Sequence, residues 1–316
     1  MSKIAFVFSG QGAQKAGMGR SFYDNAEEVK TLYDAAEKIR PGTIAQSFEG
    51  SDAELCLTVN TQPCLYLCDL AAAVTLNSLG VKADAAAGFS LGEIPALAYS
   101  GAYSHIDGFV HAIRRGEFMA KAAEANPASM AAILKLSDEA VIEICNSVGA
   151  WPVNFNCPGQ VSAAFTSDKL SDKLSDKLSD KLSALTAAVK EAGGKLIPLK
   201  VSGGFHSPLM TSASEEFGKY LESAAEVSAP SITAYSNVTG EAYTDDVKSL
   251  LTRQINSPVL WTKIIRNMAD SGVDTFIECG VGTTLKGLIT KILPEAKVYS
   301  ATTYEEAKEA AANVQG

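Results

Sequence analysis

The sequence predicts an α/β protein in which a large domain with a mainly parallel sheet carries a smaller inserted subdomain. Three observations carry this expectation. Short apolar runs alternate with helix-length segments over the first 126 residues, the rhythm of a parallel sheet covered by helices. Gly88-Phe89-Ser90-Leu91-Gly92 joins an apolar run to a helix-forming one. From Pro127 the rhythm changes to strand–helix–strand–strand–helix–strand.

In chain order, 4–8 is a buried first strand, because it is apolar, too short for a signal segment and preceded only by Lys3. Helices are expected over about 25–39 and 62–79, with a strand over 85–87 before the glycine-flanked serine. The second pattern places short strands at 130–134, 153–156, 161–165 and 196–199 around helices at 137–148 and 183–192. That order is ferredoxin-like, and a Gly-x-Ser-x-Gly string between strand and helix is that of an α/β-hydrolase-like domain with a nucleophile elbow. The expected division is 1–126 with 201–316 as the large catalytic domain, and 127–200 as the subdomain. Ser-Asp-Lys-Leu repeats four times over 167–182. A four-residue period advances about 400° per repeat on a helix, so its leucines drift around the axis and its like charges meet at i,i+4. A solvated helix extension is expected there, with a partner-binding helix as the alternative.

With 47% hydrophobic and 20% charged residues, the 316-residue chain can bury a large core. A net charge of −9 argues against nucleic acid as the main partner, because phosphates demand clustered Lys and Arg. No apolar run approaches the roughly 18 residues of a membrane span. The six cysteines form no C-x-x-C pair and no histidine stands at metal-ligand spacing. A monomeric, cytoplasmic protein with free thiols, no bound metal and no membrane partner is expected.

Ser90 is the candidate nucleophile, with an ordinary glycine turn as the alternative. A sharp strand-to-helix turn would push its hydroxyl out of the sheet and turn the Leu91 N–H toward the reacting carbonyl. The loop Phe8-Ser9-Gly10-Gln11-Gly12-Ala13-Gln14 lacks the Gly-Lys-Ser/Thr of a phosphate loop and the third glycine of a dinucleotide fingerprint. It can instead aim the Gln11 N–H at an oxyanion. A serine nucleophile needs a base, and the chain has three histidines. His105 and His111 share one helix capped by Ser104, whereas His206 lies in a glycine-bearing loop after a strand; it reads as the base or as a structural histidine. On the Ser104 helix, Ile106, Phe109, Val110 and Ile113 share an apolar face, and Arg114, Glu117 and Lys121 form an ion-pair edge. Arg115 is off that edge, among His111, Ala112, Phe118 and Met119. Its guanidinium must find a carboxylate or phosphate elsewhere in the fold or in a ligand.

Several segments, taken in chain order, carry a resemblance: the Phe8–Gln14 stretch, Asn60-Thr61-Gln62-Pro63, Gly88 to Glu93, Arg115-Gly116-Glu117-Phe118-Met119, Val153-Asn154-Phe155-Asn156-Cys157-Pro158-Gly159-Gln160, Phe205-His206-Ser207-Pro208-Leu209-Met210, Gln254 with Asn256-Ser257-Pro258-Val259, and Glu278-Cys279-Gly280-Val281-Gly282. Together they resemble the malonyl-CoA:acyl carrier protein transacylase family in its bacterial fatty-acid-synthesis form, over nearly the whole length. The resemblance implies an acyltransferase whose substrates are malonyl-CoA and holo acyl carrier protein, working by ping-pong transfer through a malonyl-serine ester without a tightly bound cofactor. It implies Ser90 as nucleophile and His206 as base, with the backbone carbonyl of Gln254 orienting the imidazole in a dyad. Gln11 and Leu91 are the implied oxyanion donors, Arg115 the implied holder of the malonyl carboxylate, and Phe89, Met119 and Phe205 the implied acyl-pocket residues. Phe205 resembles the malonyl-selecting form.

Three departures are visible: Phe89 where histidine is usual, Val281 where proline is usual, and the Ser-Asp-Lys-Leu tract. The alternatives are a discrete acyltransferase of a polyketide synthase, a serine (thio)esterase with water as acceptor, and a non-catalytic scaffold. Deletion of three of the four repeats is expected to leave acyl transfer unchanged in a turnover assay; a loss would assign the tract a partner-binding role.

Overall fold

The computed structural model describes residues 2–167, 180–201, 203–223 and 226–316. The helix extension expected over 168–179 lies outside them. Among the described residues nine strands form two sheets: β1 (Lys3–Phe8), β2 (Ala85–Gly88), β3 (Ala128–Leu134), β4 (Trp151–Cys157), β5 (Gln160–Thr166), β6 (Lys195–Pro198), β7 (Thr233–Tyr235), β8 (Val273–Cys279) and β9 (Lys297–Ala301). The large sheet runs β7-β2-β1-β8-β9 and every pairing is parallel. The small sheet runs β4-β5-β3-β6 and is antiparallel, with helices Asp138–Val148 and Asp180–Glu191 as its crossovers.

β1 reads as a continuous apolar run because both of its faces are buried, as a central parallel strand requires. Phe6 and Phe8 enter one core and Ala5 and Val7 the other. The small sheet has its own core, in which Ala131, Ile133, Val161, Ala163 and Phe165 meet Val141, Cys145, Leu185 and Val189. Its opposite face carries Met130, Ala132, Asn154, Asn156 and Ser162 over the cavity described below. Backbone bonds tie it there, Phe155 N–H to Val259 O and Val259 N–H to Val153 O, both 2.9 Å.

One expectation is corrected. The helix placed at 62–79 is Thr58–Ser78, and Pro63 lies inside it. A proline removes one intrahelical donor, but this helix is buried on nearly every side, and packing outweighs the lost bond. On helix His105–Ala125 Phe109 is fully buried with Ile106 and Ile113 packed beside it, and a second buried stripe runs through Gly108, Ala112, Arg115, Gly116, Met119 and Ala122. Small residues let the two long helices approach; a Cβ at Gly116 would lie 3.1 Å from the Thr58 carbonyl oxygen.

The elbow is built by close approach. A Cβ on Gly88 would stand 1.8 Å from the Gly92 carbonyl carbon, and one on Gly92 would stand 2.2 Å from the Phe8 oxygen. Neither glycine has a positive φ; the left-handed conformation falls on Ser90, at φ 54°. Among the described residues no helix is long and apolar enough to cross a membrane. Gly92→Ala should destabilise the fold by more than about 3 kcal/mol, because backbone rather than a flexible side chain blocks the added methyl; urea unfolding measures this.

Candidate active site

The elbow, the loop after β1, helix His105–Ala125 and the segment holding His206 converge on a cavity of about 290 Å³. Ser90 Oγ lies 2.7 Å from His206 Nε2, and His206 Nδ1 lies 2.9 Å from the backbone oxygen of Gln254. A carbonyl only accepts, so Nδ1 carries the ring hydrogen and Nε2 is left to take a proton from Ser90. His206 is itself left-handed, at φ 62°, and its N–H donates to Ile255 O at 3.2 Å. Burial, followed by the neighbouring Arg115 cation, pushes the imidazole down to about 4. The ring is therefore neutral at pH 7.

Arg115 is fully buried. Nη1 donates to Gln62 Oε1 at 2.9 Å, and Nη2 donates to Gln254 Oε1 at 2.8 Å and to Ser90 Oγ at 3.2 Å. Nε has no partner among the described residues, and no ion pair among them includes Arg115. Burial lowers the guanidinium to about 10, with Glu93 opposing the shift, so it remains a cation at neutral pH. The charge is held by neutral amide oxygens beside the nucleophile.

The remaining expected residues fall as follows. Gln11 lines the cavity, its side chain donating to Thr58 Oγ1 at 3.3 Å, and its backbone N–H has no acceptor among the described residues. Leu91 follows Ser90 in the single turn Ser90–Gly92. Phe89, Met119 and Phe205 all line the cavity: Phe89 sits edge-on to Trp261 with centroids 5.6 Å apart, and Met119 Sδ accepts from Gln62 Nε2 at 3.4 Å. His105 and His111 are not part of it; His111 Nδ1 pairs with the Tyr220 hydroxyl at 2.9 Å. Arg114 pairs with Glu117 as expected, but Lys121 reaches Glu216 because helix Thr211–Ser223 brings that acid closer than Glu117.

Sequence reasoning missed the polar groups beneath the nucleophile. Gln62 stood in one of the resembling segments without a role. Asn237, whose Oδ1 accepts from the Ser90 N–H at 2.8 Å, sits in a turn with no local signature. Glu93 carried a usable signal, a lone acid opening the apolar run Ile94-Pro95-Ala96-Leu97-Ala98.

Fold and cavity together are those of an α/β protein whose parallel sheet presents a serine bonded to a histidine. A family model described as an acyl transferase domain matches residues 5–303. A malonyl CoA-acyl carrier protein transacylase of Bacillus subtilis (strain 168) is 36% identical over 301 residues, covering 92% of this chain and 91% of its own. Among solved structures, a malonyl CoA-acyl carrier protein transacylase from Clostridium perfringens is 33% identical with TM-score 0.91, covering 99% of this chain and 98% of its own. A malonyl-transacylase in complex with a type II PKS acyl-carrier protein is 28% identical with TM-score 0.91, covering 99% and 100%. The chain belongs to the acyl transferase domain family, among its malonyl CoA-acyl carrier protein transacylases.

His206 should titrate near pH 4 in the folded protein, read from its ring C–H proton shifts by NMR. The sign follows from that depression below 6.5: the fold favours the neutral ring, so this residue's contribution to stability is present above pH 6.5 and is lost as pH falls toward 4. A midpoint at 6.5 would show that the ring is neither desolvated nor facing a cation.

Proposed function

We propose that the chain transfers malonyl from malonyl-CoA to the phosphopantetheine thiol of acyl carrier protein through an ester on Ser90, supplying fatty acid synthesis. The observation that carries this reading is Arg115, a buried cation in no ion pair among the described residues, 3.2 Å from the Ser90 hydroxyl oxygen. An acyl group whose own carboxylate lies close to its thioester carbon supplies an anion to pair with it.

Ser90 Oγ forms a bond to the thioester carbon while its proton passes to His206 Nε2, and the carbonyl π electrons move onto oxygen. That oxyanion is held by the N–H groups of Gln11 and Leu91. Its collapse breaks the C–S bond, and His206 returns the proton to the departing CoA sulfur. The carrier thiol then gives its proton to His206, attacks the malonyl-Ser90 ester, and regenerates the Ser90 hydroxyl. The Gln254 carbonyl holds the imidazole in the required tautomer, a dyad without an acidic third member. Phe89, Met119 and Phe205 wall the acyl group, and a ring at Phe205 crowds an α-methyl branch.

In this reading 1–126 with 201–316 is the catalytic domain, hydrolase-like in its parallel sheet and elbow, and 127–200 is a ferredoxin-like subdomain closing over it. The reaction needs no bound metal or organic cofactor, and the protein works as a cytoplasmic monomer, meeting its carrier protein transiently. Service to a polyketide carrier protein is the second reading, favoured by the similarity to the complex with a type II PKS carrier. Side-by-side transfer to the two kinds of carrier separates them.

Ser90→Ala should abolish the malonyl adduct seen by intact-protein mass spectrometry after exposure to malonyl-CoA. Arg115→Ala should slow malonylation by at least about a hundredfold, the scale of a lost buried charge pair, and shift preference toward acetyl-CoA. Retained malonyl preference in that variant would remove Arg115 from carboxylate recognition.

A further inference from the structure

Ser90 holds a left-handed backbone, which a residue with a side chain keeps only where its surroundings over-determine it. Three side-chain bonds do so. Asn237 Oδ1 accepts from the Ser90 N–H at 2.8 Å, Asn237 Nδ2 donates to Gly88 O at 2.7 Å, and Gln254 Nε2 donates to Ser90 O at 2.6 Å. One carboxamide thus grips both sides of the elbow. Asn237 is anchored in turn, its N–H donating to Glu93 Oε1 at 3.0 Å and its carbonyl accepting from Leu260 N–H at 3.0 Å.

Glu93 opens helix Glu93–Tyr99 directly after the elbow and is wholly buried, as is the rest of that helix. Its Oε1 takes the Asn237 N–H and also the Tyr243 hydroxyl; its Oε2 has no partner among the described residues. A desolvated carboxylate is costly, and both of its bonds run to the segment that grips Ser90. Glu93 does not itself line the cavity; its N–H bonds to the Ser90 carbonyl, and its carboxyl faces Gln254 and the Arg115 cation.

We propose that Glu93 is a positioning residue for the nucleophile: with Tyr243 it fixes Asn237, and Asn237 holds the Ser90 backbone in the conformation that aims Oγ at His206. The inference rests on acyl transfer through Ser90 as proposed above. Its action is geometric, so it is felt in the rate of acylation and not in the capture of malonyl-CoA, which falls to Arg115.

The test measures formation of malonyl-Ser90 by rapid-quench mass spectrometry over a range of malonyl-CoA concentrations, with unfolding midpoints recorded for each protein. Glu93→Ala is expected to lower the saturating acylation rate by about tenfold to a hundredfold, the scale of a small misplacement of reacting atoms, with the half-saturating concentration unchanged. Glu93→Gln keeps an oxygen that accepts both bonds and replaces only the unpartnered Oε2, so it should restore the rate even where its midpoint is lowered. If Glu93→Ala does not fold, Tyr243→Phe keeps the ring and removes one bond to Glu93; a fall of about threefold or more is expected, and an unchanged rate overturns the proposal. A folded Glu93→Ala with the wild-type rate also overturns it, as does a Glu93→Gln rate as low as that of Glu93→Ala, which would assign the effect to charge facing Arg115. A wild-type chain that forms no malonyl-Ser90 sinks the acyl-transfer reading itself, an outcome distinct from these.

Discussion

A guanidinium buried beside Ser90, in no ion pair among the described residues, is the constraint around which this protein is arranged. Burying a cation costs several kcal/mol unless bonds and opposite charge compensate. Here the compensation is deliberately incomplete: the carbonyl oxygens of Gln62 and Gln254 take two of its donors, and Nε is left unpaired. Neutral oxygens hold the group in place, and Glu93 faces it without forming an ion pair. Burial, and then the same cation, depress His206, whose ring is neutral at neutral pH.

Gln254 is the residue through which these requirements are joined. Its backbone oxygen faces the His206 ring, its side-chain oxygen faces Arg115, and its side-chain nitrogen faces the Ser90 carbonyl. His206, Arg115 and Ser90 are thus referred to one buried residue, so their mutual distances do not depend on independent loops. Ser90 and His206, both left-handed, face each other across this point. Close-packed glycines at 88 and 92 bring the strand and helix together while the strain stays on the serine.

Much of the fold was legible because its elements are locally consistent. The buried strand β1, the alanine-rich β2 and the strand–helix rhythm of 128–198 each follow from composition and periodicity within a short window. Helix Thr58–Ser78 was misplaced because it is buried on most faces, which erases the amphipathic signal, and because its proline invited a later start. The stripe of small residues carrying Arg115 was hidden for a related reason: glycine and alanine mark a face by what they admit, and the partner helix is remote in sequence.

By itself, the sequence determined the chemistry available: a serine in a glycine elbow, one histidine in a loop, and an arginine with no local acid, each recognisable because residue type and immediate neighbours suffice to define it. Only the tertiary structure decided what those groups do to one another. That Arg115 is met by glutamine oxygens, that Asn237 grips the elbow, and that Glu93 is sequestered beneath it depend on contacts between residues 53 to 150 positions apart. Desolvation, which moves His206 and Arg115 from their ordinary protonation ranges, is a property of the closed core and of no single segment.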